Sequence, residues 1–200
     1  MLTCNNLSLN ANERFIFSGL SFTLFPGSIT YLRGANGSGK SSLLRMIAGI
    51  QKPSGGDISL YKYQLDRIEK PYVNYIGHNT GIKDELTCLE NIEIWAKLYD
   101  SESMIPAALH YFGLEEMLDI KAYTLSAGNR QKLALSRLLS CSAEIWLLDE
   151  VDAHLDEKNR TMLNGAITTK ANSGGMIILT SHLESQFKQA IEIEMRGACE

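Results

Sequence analysis

Eight consecutive residues, Gly34-Ala35-Asn36-Gly37-Ser38-Gly39-Lys40-Ser41, carry the densest chemical signal in the chain. They fit the spacing G-x-x-x-x-G-K-[ST]. Glycines at these points let consecutive backbone N–H groups turn inward around an anion. A helix that begins directly after the loop presents its positive end to the same anion. Lys40 would then reach the β and γ phosphates of ATP, and the Ser41 hydroxyl would bind Mg²⁺. Ser42 belongs to the same phosphate-binding group.

A second group lies more than a hundred positions on. Ile145-Trp146-Leu147-Leu148 is a continuous apolar run that ends in Asp149-Glu150. Such a run is the pattern of a strand covered on both faces. Ligands of open α/β sheets sit beyond the carboxyl ends of their strands. The glycine loop also follows a strand end, so the two groups are expected to meet. Asp149 would hold Mg²⁺, directly or through water, and Glu150 would polarise the water that attacks the γ phosphate.

The elements that must position these residues alternate along the chain. Leu7-Ser8-Leu9 and the alternating Leu20 to Leu24 read as strands, Pro26-Gly27 as a turn, and Ile29 to Leu32 as the strand that feeds the loop. Ser42 to Ile50 has apolar residues at helical spacing, and Ile58 to Leu60 and Val73 to Ile76 read as strands. From Thr87 to about Tyr123, Leu89, Ile92, Trp95, Ala96 and Tyr99, then Ala107, Ala108, Tyr111 and Leu114, indicate a helical insertion. Helices over Gln131 to Leu139 and Lys158 to Thr169, a buried strand over Met176 to Leu179 and a short helix over Ser185 to Ala190 complete the pattern. Strands alternating with helices imply an α/β fold with a mainly parallel sheet.

Composition narrows the function. A chain of 200 residues with 44% hydrophobic and 21% charged residues can bury a full core as one domain. A net charge of −4 argues against a broad nucleic-acid-binding surface, and no nucleic-acid partner is expected. Cys4, Cys88, Cys141 and Cys199 are far apart in sequence, which points to incidental thiols in a reducing compartment and away from a zinc or redox site. The opening residues lack a basic-then-apolar signal peptide. No apolar run approaches the roughly 18 residues that cross a bilayer. Action at a membrane would therefore go through a partner.

Between the glycine loop and the acidic strand lies Leu125-Ser126-Ala127-Gly128-Asn129-Arg130-Gln131, at the start of a helix. Taken alone this is an ordinary capped helix start. In the order loop, this segment, Leu-Leu-Asp-Glu, the chain resembles the ATP-binding-cassette (ABC) ATPases over nearly its full length. The resemblance implies a P-loop NTPase (RecA-like) core, an N-terminal antiparallel β subdomain and a helical insertion. Residues 1–78 and 126–200 would form the nucleotide-binding core and 79–125 the helical subdomain. It also implies an ATP-dependent head-to-tail homodimer, each ATP lying between one copy's loop and Ser126, Ala127 and Gly128 of the other. Asp156 matches the position that communicates across the dimer. His182 matches the switch histidine that contacts the γ phosphate.

Phe17 to Leu24, Ile76-Gly77-His78, Gly81-Ile82-Lys83, Leu86-Thr87, Leu89-Glu90-Asn91 and the alanine of the Leu-Ser-Ala-Gly segment are similar to the ATPase subunit of cytochrome c maturation (heme export) systems. That likeness implies an integral membrane permease as partner and a peripheral position on the cytoplasmic side of the inner membrane. The permease would dock near residues 78 to 95. Where the family has a glutamine before the helical insertion, His78 and Asn79 stand, and Asn79 offers Mg²⁺ an amide oxygen one methylene shorter. Val151 replaces the usual proline, and Asn129 the usual glutamine. No aromatic near Asn10 to Asn12 is well placed to stack on adenine; Phe15 is the candidate substitute. Competing readings are the ATPase of another ABC exporter, a slow ATP-binding regulatory module, and a soluble ABC protein of translation or DNA repair. The absence of a second cassette, sustained heptads and cysteine pairs argues against the last.

Overall fold

The computed structural model describes residues 1–11, 14–61, 63–64, 72–77, 79–153 and 155–195. His78, His154 and Cys199, and Asn12 from the adenine search, lie outside the described residues.

In chain order the elements are β1 (Leu2–Ala11), β2 (Arg14–Leu24), β3 (Ile29–Arg33), α1 (Lys40–Ile47), β4 (Gly55–Leu60), β5 (Tyr63–Gln64), β6 (Val73–Ile76), α2 (Cys88–Leu98), α3 (Ile105–Phe112), α4 (Ala127–Ser140), β7 (Ile145–Asp149), α5 (Glu157–Asn172), β8 (Met176–Thr180) and β9 (Ile191–Glu194). Strands β2-β1-β4-β5 form an antiparallel sheet, and β6-β7-β8-β3-β9 form a second sheet whose neighbours all run parallel.

The parallel sheet is covered on both faces, and the apolar run of β7 shows why. Its residues alternate between two cores. Ile145 and Leu147 join Leu43, Leu44 and Ile47 of α1 and Leu2, Leu7 and Leu24 of the antiparallel sheet. Trp146 and Leu148 join Ile92, Leu109, Phe112, Leu135 and Ile167 from the helices. Every residue of β7 and β8 is buried.

Local signals set the helix ends. Thr87 and Glu90 form a capping box at α2: Thr87 N–H donates to Glu90 Oε2 (2.7 Å) and Glu90 N–H to Thr87 Oγ1 (3.1 Å). Pro106 stands in the first turn of α3, and Gly113 closes that helix in the left-handed conformation. Ser126 caps α4 and Asp156 caps α5. Cys4, Cys88 and Cys141 are free, buried thiols, and burial pushes Cys4 up to about 12.

One expectation is overturned. Ser185 to Ala190 is not helical. The Arg33 guanidinium donates to the carbonyls of Ser181 (2.7 Å) and Leu183 (2.9 Å), and the Phe187 ring packs near Tyr31. These contacts hold the segment open on its way to β9, which pairs with β3 at the sheet edge. Six residues are too few to nucleate a helix against such contacts. The alternation of Ile191-Glu192-Ile193-Glu194 was the signal for the strand.

Candidate functional site

The loop between β3 and α1 is shaped by glycines in conformations that other residues rarely adopt. Gly34, Gly37 and Gly39 have φ of 138°, 84° and 95°. A Cβ on Gly34 would lie 2.5 Å from the Met195 carbonyl oxygen, and one on Gly39 would lie 2.7 Å from Phe17 Cδ1. The loop is thus pressed against its surroundings, and its conformation is fixed before any ligand arrives. Gly39 is also the N-cap of α1 and supplies no side chain there, so the first N–H groups of the helix remain open to an anion. Lys40 Nζ donates to the carbonyls of Gly34 (2.8 Å) and Ala35 (3.0 Å), which hold the ammonium over the loop.

The acidic strand end arrives beside this loop. Ser41 Oγ donates to Asp149 Oδ1 at 3.1 Å. Thr180 Oγ1, at the end of the neighbouring strand β8, donates to the same oxygen at 2.9 Å, and the Tyr75 hydroxyl donates to Oδ2 at 3.2 Å. Asp149 is buried and these three contacts are neutral hydroxyls. Burial first, then the Asp149 charge, raises Tyr75 above the usual phenol value, with Arg45 acting the other way. Tyr75 therefore remains a hydrogen-bond donor.

Glu150 follows in a left-handed backbone conformation, φ 55°. A non-glycine residue there carries strain of about 1–3 kcal/mol. Its N–H is held by both the Thr180 hydroxyl (2.9 Å) and the Thr180 carbonyl (3.2 Å). The turn directs the carboxylate to His182, whose Nε2 lies 3.2 Å from Glu150 Oε1. Ile16, Asn36, Gly37, Gly39, Lys40, Ser41, Ser42, Glu150 and His182 line one cleft. Residues 108 and 141 positions beyond the loop thus share it: Asp149 through Ser41, and His182 through Glu150.

Other expected site residues sit elsewhere. Ser126, Ala127 and Gly128 are exposed at the start of α4, where Ser126 Oγ accepts Asn129 N–H (3.3 Å). Nothing lies within 4 Å of a Cβ built on Gly128. Ala127 borders a different cavity, which Glu150 also lines. Asp156 is engaged as the cap of α5, its Oδ1 accepting Asn159 N–H at 2.7 Å. Asn79 Oδ1 accepts Gly81 N–H (3.1 Å), and the residue borders a cavity with Tyr75, Trp95, Tyr99 and Arg137, apart from the cleft over the loop. Phe15 is exposed and does not line the cleft; its neighbour Ile16 does.

Three contributors escaped the sequence reading. Ile16 would have required the register of β2. Thr180 is the polar residue that ends the otherwise apolar strand β8, and that position was its signal; Tyr75 lies inside β6 beside Asn74, and its role would have required the strand order.

Mg²⁺ takes hard oxygen ligands and keeps several from water and phosphate. Ser41 and Asp149 offer one hydroxyl and one carboxylate side by side, which fits this requirement. Among the described residues there is no cluster of three His, Cys, Asp or Glu side chains that would hold a metal alone.

The ABC transporter family model matches residues 17–153. A cytochrome c biogenesis ATP-binding export protein (CcmA) of Rickettsia felis is 50% identical over 190 residues, covering 95% of this chain and 97% of that one. Its counterpart in Rickettsia typhi is 48% identical over 196 residues, 98% and 99% of the two chains. The one in Wolbachia pipientis wMel is 35% identical over 189 residues, 93% and 91%. Among solved structures, a putative ABC transporter ATP-binding protein from Pyrococcus furiosus superposes with a TM-score of 0.83 at 22% identity, covering 97% of this chain and 96% of that one. An ATP-binding subunit of an ABC transporter superposes with a TM-score of 0.87 at 25% identity, 97% and 85%.

Proposed function

The chain belongs to the ABC transporter family, and on that premise we propose that it is the ATP-hydrolysing subunit of a membrane transporter serving cytochrome c biogenesis, with each ATP held between two copies. One observation carries the reading. The glycine loop, Asp149, Glu150 and His182 converge at the carboxyl edge of one parallel sheet, with Ser41 3.1 Å from Asp149 and His182 3.2 Å from Glu150.

The steps follow from the residues. The loop N–H groups and the start of α1 receive the phosphates. Lys40 transfers its hydrogen bonds from the Gly34 and Ala35 carbonyls to the β and γ phosphates, exchanging neutral partners for charged ones. Ser41 and Asp149 would hold Mg²⁺, which when bound neutralises charge on the phosphate oxygens. Glu150 orients the attacking water and accepts its proton. His182, within hydrogen-bond reach of Glu150, is placed to contact the γ phosphate as charge moves onto it.

Within one chain the cleft is open on the side away from the sheet. Ser126, Ala127 and Gly128 are exposed, and a helix start with small side chains suits a second phosphate cap. A head-to-tail homodimer brings that cap of one copy over the loop of the other. Asp156, near the same edge, would report across the dimer while capping its own helix. Residues 79–125 would act as the helical subdomain that carries this cap.

Among the described residues no helix is long and apolar enough to cross a membrane. An integral membrane permease would hold the subunit at the cytoplasmic side of the inner membrane. The cavity lined by Asn79, Gly81 and Trp95 from the segment expected for docking, together with Tyr99 and Arg137 from outside it, suits a cytoplasmic helix of that permease.

The deciding experiment compares ATP turnover of the wild type and Glu150→Gln, each with its membrane partner. The reading requires a fast wild type and a variant slowed by at least about a hundredfold. Equal, slow rates would identify an ATP-binding regulatory module instead. Co-purification with a drug or lipid permease would replace cytochrome c biogenesis with another export pathway.

A further inference from the structure

Asp149 places a carboxylate against the loop serine, and its two oxygens are held differently. Oδ1 receives Ser41 and Thr180, and Oδ2 receives only the Tyr75 hydroxyl among the hydrogen bonds of the described residues. Tyr75 comes from β6, the strand next to β7. Its register partner there is Leu147, two residues before Asp149. Side chains two apart along a strand share a face, so Tyr75 and Asp149 lie on the same side of the sheet, one step apart along it. The phenol leans toward the carboxyl end of the sheet to reach the carboxylate.

That lean needs room, and Gly77 provides it. Gly77 is the next residue on the same face of the β6 line, and a Cβ on it would lie 2.8 Å from Tyr75 Cζ, inside the ring's van der Waals surface. Gly77 is not among the glycines with positive φ, so its backbone does not demand glycine. Space for the phenol is the physical reason for a glycine there.

We propose that Tyr75 is a positioning residue for the metal-binding carboxylate of Asp149, and that Gly77 is glycine because the phenol occupies the space of its side chain. With Thr180 on one oxygen and Tyr75 on the other, the carboxylate plane is fixed and Oδ1 is kept toward Ser41. A carboxylate that is already oriented binds a cation more tightly than one that must be ordered on binding. The inference rests on Asp149 as the Mg²⁺ ligand, the reading given above.

The test uses the full-length chain with ATP and counts bound Mn²⁺, as a paramagnetic stand-in for Mg²⁺, by electron paramagnetic resonance. ATP affinity without metal is measured alongside as the control for fold. Tyr75→Phe should raise the half-saturating Mn²⁺ concentration on the order of tenfold and leave metal-free ATP affinity unchanged. Gly77→Ala, which displaces the ring without removing its hydroxyl, should shift it in the same direction. Tyr75→Phe binding Mn²⁺ like the wild type would overturn the inference. So would a loss of metal-free ATP affinity equal to the loss of Mn²⁺ affinity, because Tyr75 would then be merely structural. Asp149→Asn separates the two layers: if it too leaves Mn²⁺ binding unchanged, the ligand assignment itself is wrong.

Discussion

Thr180 Oγ1 donates a hydrogen bond to Asp149 Oδ1 at 2.9 Å and accepts one from the Glu150 N–H, also at 2.9 Å. One buried hydroxyl thereby orients two consecutive acids toward different tasks: Asp149 toward Ser41, Glu150 toward His182. Thr180→Val keeps the shape and removes both bonds. Its turnover should fall about tenfold or more through misplacement of Glu150, while ATP affinity changes little. Steady-state kinetics should show the loss in kcat more than in KM.

Gly39 bends the loop into α1 with φ 95°, and the Phe17 ring lies directly beneath it. Gly39→Ala adds left-handed strain and a clash with Phe17. Urea unfolding should show a loss of about 1–3 kcal/mol, and ATP affinity should drop with it.

Gly128 presents the opposite case. A Cβ there meets nothing within 4 Å among the described residues. Gly128→Asp should leave urea stability within about 0.5 kcal/mol of the wild type. On the proposed head-to-tail arrangement it should abolish an ATP-dependent dimer in size-exclusion chromatography of a hydrolysis-deficient background, because a carboxylate there would face the phosphates bound by a second copy.

Arg137 is a buried cation held by neutral groups. Its guanidinium donates to Asn74 Oδ1 (3.2 Å), the Thr80 carbonyl (3.2 Å) and the Tyr75 carbonyl, and it lies 3.8 Å from the Trp95 ring centroid. It joins β6, the loop after it and helix α2 through one side chain. Burial lowers its pKa from the usual arginine range without removing its charge at neutral pH. Arg137→Met removes the guanidinium donor from these acceptors and should cost at least about 1–3 kcal/mol by urea denaturation. Arg137→Lys should recover little of this, since an ammonium cannot span the same fork.

The capping box of α2 gives a pH dependence. The Thr87 N–H foremost, and the nearby Lys121 charge against slight desolvation, hold the Glu90 carboxyl below its usual value. A depressed folded pKa means stability that is present above the unfolded value, about 4.3, and lost as pH falls through the folded one. The difference in Tm between wild type and Glu90→Ala should therefore be constant near neutrality and shrink below about pH 4. Thermal unfolding followed by circular dichroism at several pH values checks this.

The sequence by itself determined the parts whose geometry is local. Gly34 to Ser41 can do little but cradle an anion, because glycines and the helix start act within a few residues. The apolar run Ile145 to Leu148 read as a strand buried on both faces, and its partners in two cores bear that out. Ser126 marked the start of a helix on the same local grounds. What only the tertiary structure decided depends on strand order and register. The order β6-β7-β8-β3 sets Tyr75 and Thr180 on either side of Asp149, which no spacing along the chain discloses. The left-handed turn at Glu150 and the diversion of Ser185 to Ala190 into β9 arise from contacts with Thr180 and Arg33, distant in sequence. Asn79, read as a metal ligand from its position, spends its amide oxygen on a turn with Gly81. Local chemistry is written in neighbouring residues, but the company a side chain keeps is set by the sheet.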